Sequence, residues 1–308
     1  MEHHVAIQAH EDFTRARGKE MLSRLQFFMH PEKEKLLSFN DIKHIIRPKG
    51  ESYRGMRVVP IKLIVGSEGR YKDFNKYFLP KSDHVRVRWE RVDQAHLKDI
   101  VLPPIQLYEI GGVYFVRDGN HRVSVAKTQG VEWIDAEVIS LTSDIALSPQ
   151  MTVQELRTLV ISREKESFYE NTNFGTLTGC DDLDFSRTGR YDVIYNHILV
   201  HNHYLNKSGG TAIPFNDAVI SWYKNVYMPI LRIIYDMDLC REFHRRTPGD
   251  LYVWIVKRWD ELKHKYGNDV PASNAASAFR AQFSKKKHPL FKLIHTFFGG
   301  IFNKGDKQ

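Results

Sequence analysis

The sequence predicts an α+β protein: a sheet-bearing segment at residues 51–150, then a mainly α-helical domain at 151–284. Three observations carry this. β-Branched and aromatic runs recur between residues 58 and 141, punctuated by Gly and Pro. One of them, Val113 to Val116, leads into a tight polar turn, a helix-compatible segment and another apolar run. Beyond Thr152 the apolar residues recur at helical spacing.

Composition bounds the problem. A chain of 308 residues suggests two domains and can bury a sizeable core. A formal charge of +8 and a pI near 9.3 admit nucleic acid, nucleotides or an anionic membrane as partners, and equally suit a modestly basic soluble protein. Cys180 and Cys240 are far apart and neither belongs to a CxxC pair, which argues against a disulfide framework or a thiolate zinc site and predicts a reducing cytoplasm. The N-terminus lacks the pattern of a signal peptide, and no apolar run approaches the ~20 residues of a spanning helix.

Residues 1–50 read as a helical extension. Phe13, Met21, Leu22, Leu25 and Phe28 predict one apolar helix face, which Pro31 interrupts; Asp41–Ile46 predicts a further helical turn. Val58 to Val65 predicts one strand around Pro60, ending in the glycine-rich loop Gly66-Ser-Glu-Gly-Arg-Tyr71. Residues 72–90 interleave aromatics with Arg86 and Arg88, and Arg91 follows. Nucleic-acid surfaces use that pattern, and the sequence favours an amphipathic element with solvated arginines. Val92 to Ile100 reads as helix. Ile105–Ile110 and Val113–Val116 read as strands joined by Gly111-Gly112, a two-residue turn that tolerates positive φ. A helix stopped by Gly130 and a strand from Trp133, closing the sheet near Leu141, complete the unit.

In the helical domain, Val153 to Phe168 predicts a helix and residues 171–190 a loop. Residues 215–223, 230–237 and 251–263 predict the clearest further helices. Asp250, after Thr247-Pro-Gly, falls in the first turn of the last of these. His197 and His201 share a helix face at metal-pair spacing, but without a following Glu; with His203 they read as surface or capping histidines. The tail at 285–308, basic and then aromatic, suits a membrane-surface anchor or docking on protein.

The chemistry concentrates in Asp118-Gly-Asn-His-Arg122. A polar turn between strand and helix directs backbone N–H groups and a helix dipole at an anion. Asp118 offers a magnesium ligand through water or a proton acceptor. Gly119 permits close backbone approach, Asn120 a helix cap, His121 a donor to a phosphoryl oxygen, and Arg122 a fork onto two phosphate oxygens. The alternative is that Asp118 and Asn120 only shape the turn while His121 and Arg122 satisfy local carbonyls.

This stretch, Val113 to Leu141, resembles the core of the ParB/sulfiredoxin superfamily, and its DGNHR turn is nearest in form to the DGHHR-like turn of free serine kinases. The resemblance covers residues 55–142 and implies a ParB/sulfiredoxin-like domain. It implies that Gly66, Ser67, Arg70, Gly119, Asn120 and Arg122 hold a nucleotide (ATP, ADP or CTP) with Mg2+ at Asp118, with Glu68, Asp118 and His121 catalytic. Sulfiredoxin's catalytic cysteine is replaced here by Asn120, so thiol chemistry is not implied. Gly119 and His121 depart from the GERR-type turn of CTP-binding ParB proteins. The stretches Trp222 to Pro229 and Arg246 to Trp254 resemble the C-terminal region of uncharacterised bacterial proteins sharing this core. The expected function is nucleotide binding, with NTP hydrolysis or phosphoryl transfer to a small molecule. The alternatives are a DNA-associated ParB-like regulator or nuclease, and a non-enzymatic assembly protein, homo-oligomeric or bound to a membrane surface through its tail, for which the nucleotide is a switch.

Overall fold

The computed structural model describes residues 2–207, 212–267 and 270–283; the basic and aromatic tail at 285–308 lies outside them. The chain is α+β and divides into two units, Met1–Val160 and Ile161–Gln308. No helix among the described residues is long and apolar enough to cross a membrane.

The first unit contains α1 (Glu2–Gln26), β1 (Leu37–Ser38), α2 (Phe39–Ile46), β2 (Glu51–Pro60), β3 (Ile64–Ser67), α3 (Arg86–Leu97), β4 (Ile105–Ile110), β5 (Val113–Asp118), α4 (Asn120–Thr128) and β6 (Trp133–Leu141). The start of α5 (Val153–Thr172) also belongs to it. The strands form one mixed sheet in the order β1-β3-β5-β4-β6-β2. β1, β3 and β5 run parallel, while β4 turns back from β5 through Gly111 and Gly112, both at positive φ. β6 lies parallel to β4, and β2 pairs antiparallel with β6 at one edge, with a bulge between Tyr53 and Gly55.

Side chains alternate across the sheet as the pleat requires. Ile64, Ile105, Leu107 and Val116 enter one core with Phe13, Trp89 and Val123. Val65, Ile110, Val113 and Phe115 enter the other with Phe39, Ile42 and Leu156. Both faces of the central strands are therefore buried, which explains the near-continuous apolar run of β5.

Two expectations for this unit need correction. Val58 to Val65 is two strands: Pro60, at φ −65°, ends β2, a 3-10 turn over Ile61–Leu63 crosses, and β3 pairs elsewhere in the sheet. The buried face of α1 is Ala9, Asp12, Phe13, Ala16, Glu20 and Ser23, whereas Met21, Leu22, Leu25 and Phe28 are exposed. Glu20 is tolerated inside because Arg17 reaches its carboxylate at 2.8 Å.

The second unit is helical: the rest of α5, then α6 (Phe174–Thr178), α7 (Arg190–Asn206), α8 (Phe215–Trp222), α9 (Met228–Asp236), α10 (Leu239–Glu242), α11 (Pro248–Tyr266) and α12 (Ala272–Phe283). α6 lies within 171–190, expected as loop. Phe174 supplies the reason, being fully buried beside Phe168 and Trp222. Trp222, Tyr227 and Tyr252 pack together in the core, and Thr247 caps α11 in a reciprocal box with Asp250. His197 bonds Tyr252 Oη at 3.2 Å and His201 bonds Ser221 Oγ at 3.0 Å. No group of three His, Cys, Asp or Glu side chains among the described residues is placed to hold a metal.

Candidate functional site

Ser38, Ser67 and Val116 stand in line across β1, β3 and β5. These parallel strands end together, and the chain leaves each into α2, the loop 68–73 and the turn 118–122. In sheets of this kind ligands bind beyond the carboxyl ends of the strands.

The loop after β3 is tied locally. Glu68 N–H donates to Val116 O at 3.0 Å. Ser67 Oγ donates to Val116 O at 3.3 Å and accepts from Arg70 N–H at 3.1 Å. Gly66 belongs to β3, not to the loop, and is required by packing: a Cβ there would meet the Phe115 ring and Leu37 O. Arg70 is exposed and its Nη1 donates to Asp73 at 3.0 Å.

The turn after β5 depends on Gly119. Its φ is +102°, and a Cβ would come within 2.5 Å of Ile105. Gly119 is the N-cap of α4, which corrects the capping role expected of Asn120: Asn120 stands inside the helix, and no side chain caps its first N–H groups. Arg122 forks onto protein, as the local-carbonyl alternative expects. Nη2 donates to Asp118 Oδ2 at 2.5 Å, and Nη1 donates to the carbonyls of Pro103 and Pro104. Asp118 is itself largely exposed.

Asn120 and His121 are each 7% exposed, and Asn120 Oδ1 and His121 Nδ1 have no hydrogen-bond partner among the described residues. Orphaned buried polar atoms are rare and costly, and mark places built for something else. The Phe74 and His121 rings meet in a T-shaped arrangement, with centroids 5.5 Å apart. Burial lowers the His121 pKa to about 4, assisted by Arg88, Arg70 and His84 and opposed by Asp73. The imidazole is therefore neutral at pH 7, with one N–H to donate, in surroundings that favour an anion.

The structure thus brings His121, Asn120, Gly119 and Arg70 into one locality. Glu68 is not joined to it: no hydrogen bond or ion pair links its carboxylate to Asp118 or His121, and its charge acts on Lys43 of α2. Arg88, His84, Asp73 and Phe74 were missed as site residues. The arginine group divides. Arg86 pairs with Asp83 at 3.1 Å and stacks on Phe13, while Arg88 acts on His121. Trp89 is the signal that could have shown this. Its buried Nε1–H donates to Ser124 Oγ of α4 at 2.8 Å, which fixes the rotation of α3.

No protein-family model matches the chain, and no curated protein matches it. Two solved structures are similar. The C2221 form of a Pnob8-like ParB-N domain is 12% identical with a TM-score of 0.21, covering 83% of this chain and 98% of that one. The pNOB8-like ParB N-domain is 13% identical with the same TM-score, covering 84% and 94%.

Proposed function

We propose that the first unit binds the phosphates of a nucleotide at the N-terminus of α4. The observation that carries this is the buried, unpartnered His121 Nδ1, beside helix N–H groups with no side-chain cap, in a field set by Arg88 and Arg70. The backbone at Gly119–His121 cradles phosphate oxygens, His121 donates its single N–H, and Arg70 and Arg88 neutralise charge. Asp118 would be the carboxylate to hold Mg2+, which would neutralise phosphate charge; such sites need only one or two carboxylates besides phosphate. The reaction class is NTP hydrolysis or phosphoryl transfer to a small acceptor, which requires mainly positioning and charge neutralisation.

The test is a thermal-shift and calorimetric screen of ATP, ADP, CTP and GTP with Mg2+ on the wild type, His121→Ala and Arg70→Ala. At least one nucleotide is expected to stabilise the wild type and to bind both variants roughly tenfold more weakly, a loss of about 1.4 kcal/mol. Arg70 is exposed, so that variant retains its fold. Absence of binding to any of the four nucleotides overturns the proposal.

A further inference from the structure

The opposite end of α4 borders a second feature. A cleft of about 990 Å³ lies among Leu37, the 3-10 turn after β2, the residues after α4 and the segment 149–155. That is the size of a small-molecule site. Its lining includes six lysines (Lys19, Lys33, Lys35, Lys62, Lys76 and Lys127) against three glutamates, Glu32, Glu132 and Glu155. Lys19, Lys35 and Lys62 form no ion pair with any described residue. Clustered lysines repel one another, and opposite charge would relieve that.

Lys127 is the deepest of them. Its Nζ donates to Ile64 O at 2.8 Å and lies 4.6 Å from the centre of the Phe78 ring. No carboxylate pairs with it among the described residues, although an ammonium carries three N–H groups. A desolvated cation without a counter-charge is expensive unless something anionic joins it. Burial lowers its pKa to about 8, which still leaves it largely protonated at neutral pH. The remaining walls are apolar, with Ile61, Ile64 and Leu79, and two exposed aromatic rings, Tyr77 and Trp133, stand at the lining.

We propose that this cleft is a second binding site, for a phosphorylated, ring-bearing small molecule of nucleoside diphosphate size. Lys35, Lys62 and Lys127 take the phosphates, and Tyr77 and Trp133 take the ring. The charges match: such a ligand carries about three negative charges, about two on the terminal phosphate and about one on the inner. Lysine is an established point-charge binder of phosphate, and aromatic faces accept any base. The site is separate from the Asp118–Arg122 turn and does not depend on it.

Calorimetry of the full chain with ADP, inorganic pyrophosphate and adenosine tests this on the wild type, Lys35→Glu/Lys62→Glu and Arg70→Ala. Both lysines are exposed, so their reversal leaves the fold intact. The double variant is expected to lose, by tenfold or more in affinity, an ADP-binding event that Arg70→Ala retains; pyrophosphate competes for that event and adenosine does so much more weakly. ADP binding that survives unchanged in the double variant overturns the proposal. So does a wild type that binds no ADP, or adenosine that competes as well as ADP.

Discussion

Arg122 Nη2 donates to Asp118 Oδ2 at 2.5 Å while its Nη1 donates to the carbonyls of Pro103 and Pro104, so one guanidinium fastens the start of α4 to the loop before β4. The Asp118 pairing is partly exposed and contributes little by itself. The carbonyl bonds are charge-assisted and contribute more, about 1.5–3 kcal/mol. Arg122→Ala is expected to lower the urea-unfolding free energy by that amount, and Asp118→Asn by well under half of it.

Gly119→Ala meets both a strained φ and the side chain of Ile105. A non-glycine residue at such a φ costs on the order of 1–3 kcal/mol before any clash is counted. Denaturant titration is expected to show at least that loss. Gly130→Ala, also at positive φ but with open space around it, isolates the conformational part.

His121 links stability to acid. Its ordinary value is 6.5 and the fold holds it at about 4. The unfolded chain therefore takes up the proton first as pH falls. Stabilisation present above pH 6.5 is lost on the way to pH 4. The fall in urea midpoint between pH 7 and pH 4.5 is expected to be smaller in His121→Gln. Imidazole resonances in the NMR spectrum should follow the low value directly.

Lys127 gives a slope of the same sign in an alkaline window. Folding lowers its pKa from 10.5 to about 8, so the unfolded chain binds the extra proton between those values and stability rises with pH. Lys127→Met avoids the cost of burying the charge. Its stability advantage over the wild type is expected at pH 7 and should shrink from pH 8 to pH 10.

In the second unit, Trp222 is 1% exposed and packs on Phe174, Tyr227 and Tyr252. Trp222→Ala is expected to destabilise by about 3–5 kcal/mol, measured on the thermal or urea transition of that unit. Thr247→Ala, which removes the α11 cap, should cost about 1 kcal/mol by the same measurement.

The run from β4 to β6 was legible in the sequence because its signals are local. Gly111-Gly112 turns the hairpin and α4 stops before Gly130, though its N-cap proved to be Gly119 and not Asn120. The break at Pro60 was not legible, since β2 and β3 are set by partners far away in sequence, and a proline within an apolar run is also compatible with one edge strand. The face of α1 was misread for a similar reason. Asp12 and Glu20 are buried through partners on other elements or other turns: Gln129 donates to Asp12 at 3.2 Å, and Arg17 serves Glu20. The place of the DGNHR turn was visible, but the commitment of Arg122 to Pro103 and Pro104, and the approach of Arg88, depend on tertiary packing that spacing does not encode.

The sheet has two free margins, and they discourage further strands by different means. β1 is two residues long, too short to template a neighbour. β2 is ten residues long and carries exposed Tyr53, Met56 and Val58, an inviting surface for another chain. Its bulge at Gly55 bends the strand, and Arg54 and Arg57 place charge on either side of the bend. An incoming strand would have to straighten the bend and desolvate those guanidinium groups together. The irregularity that spoils the ladder therefore also guards the molecule against growing into a fibre at its longest open edge.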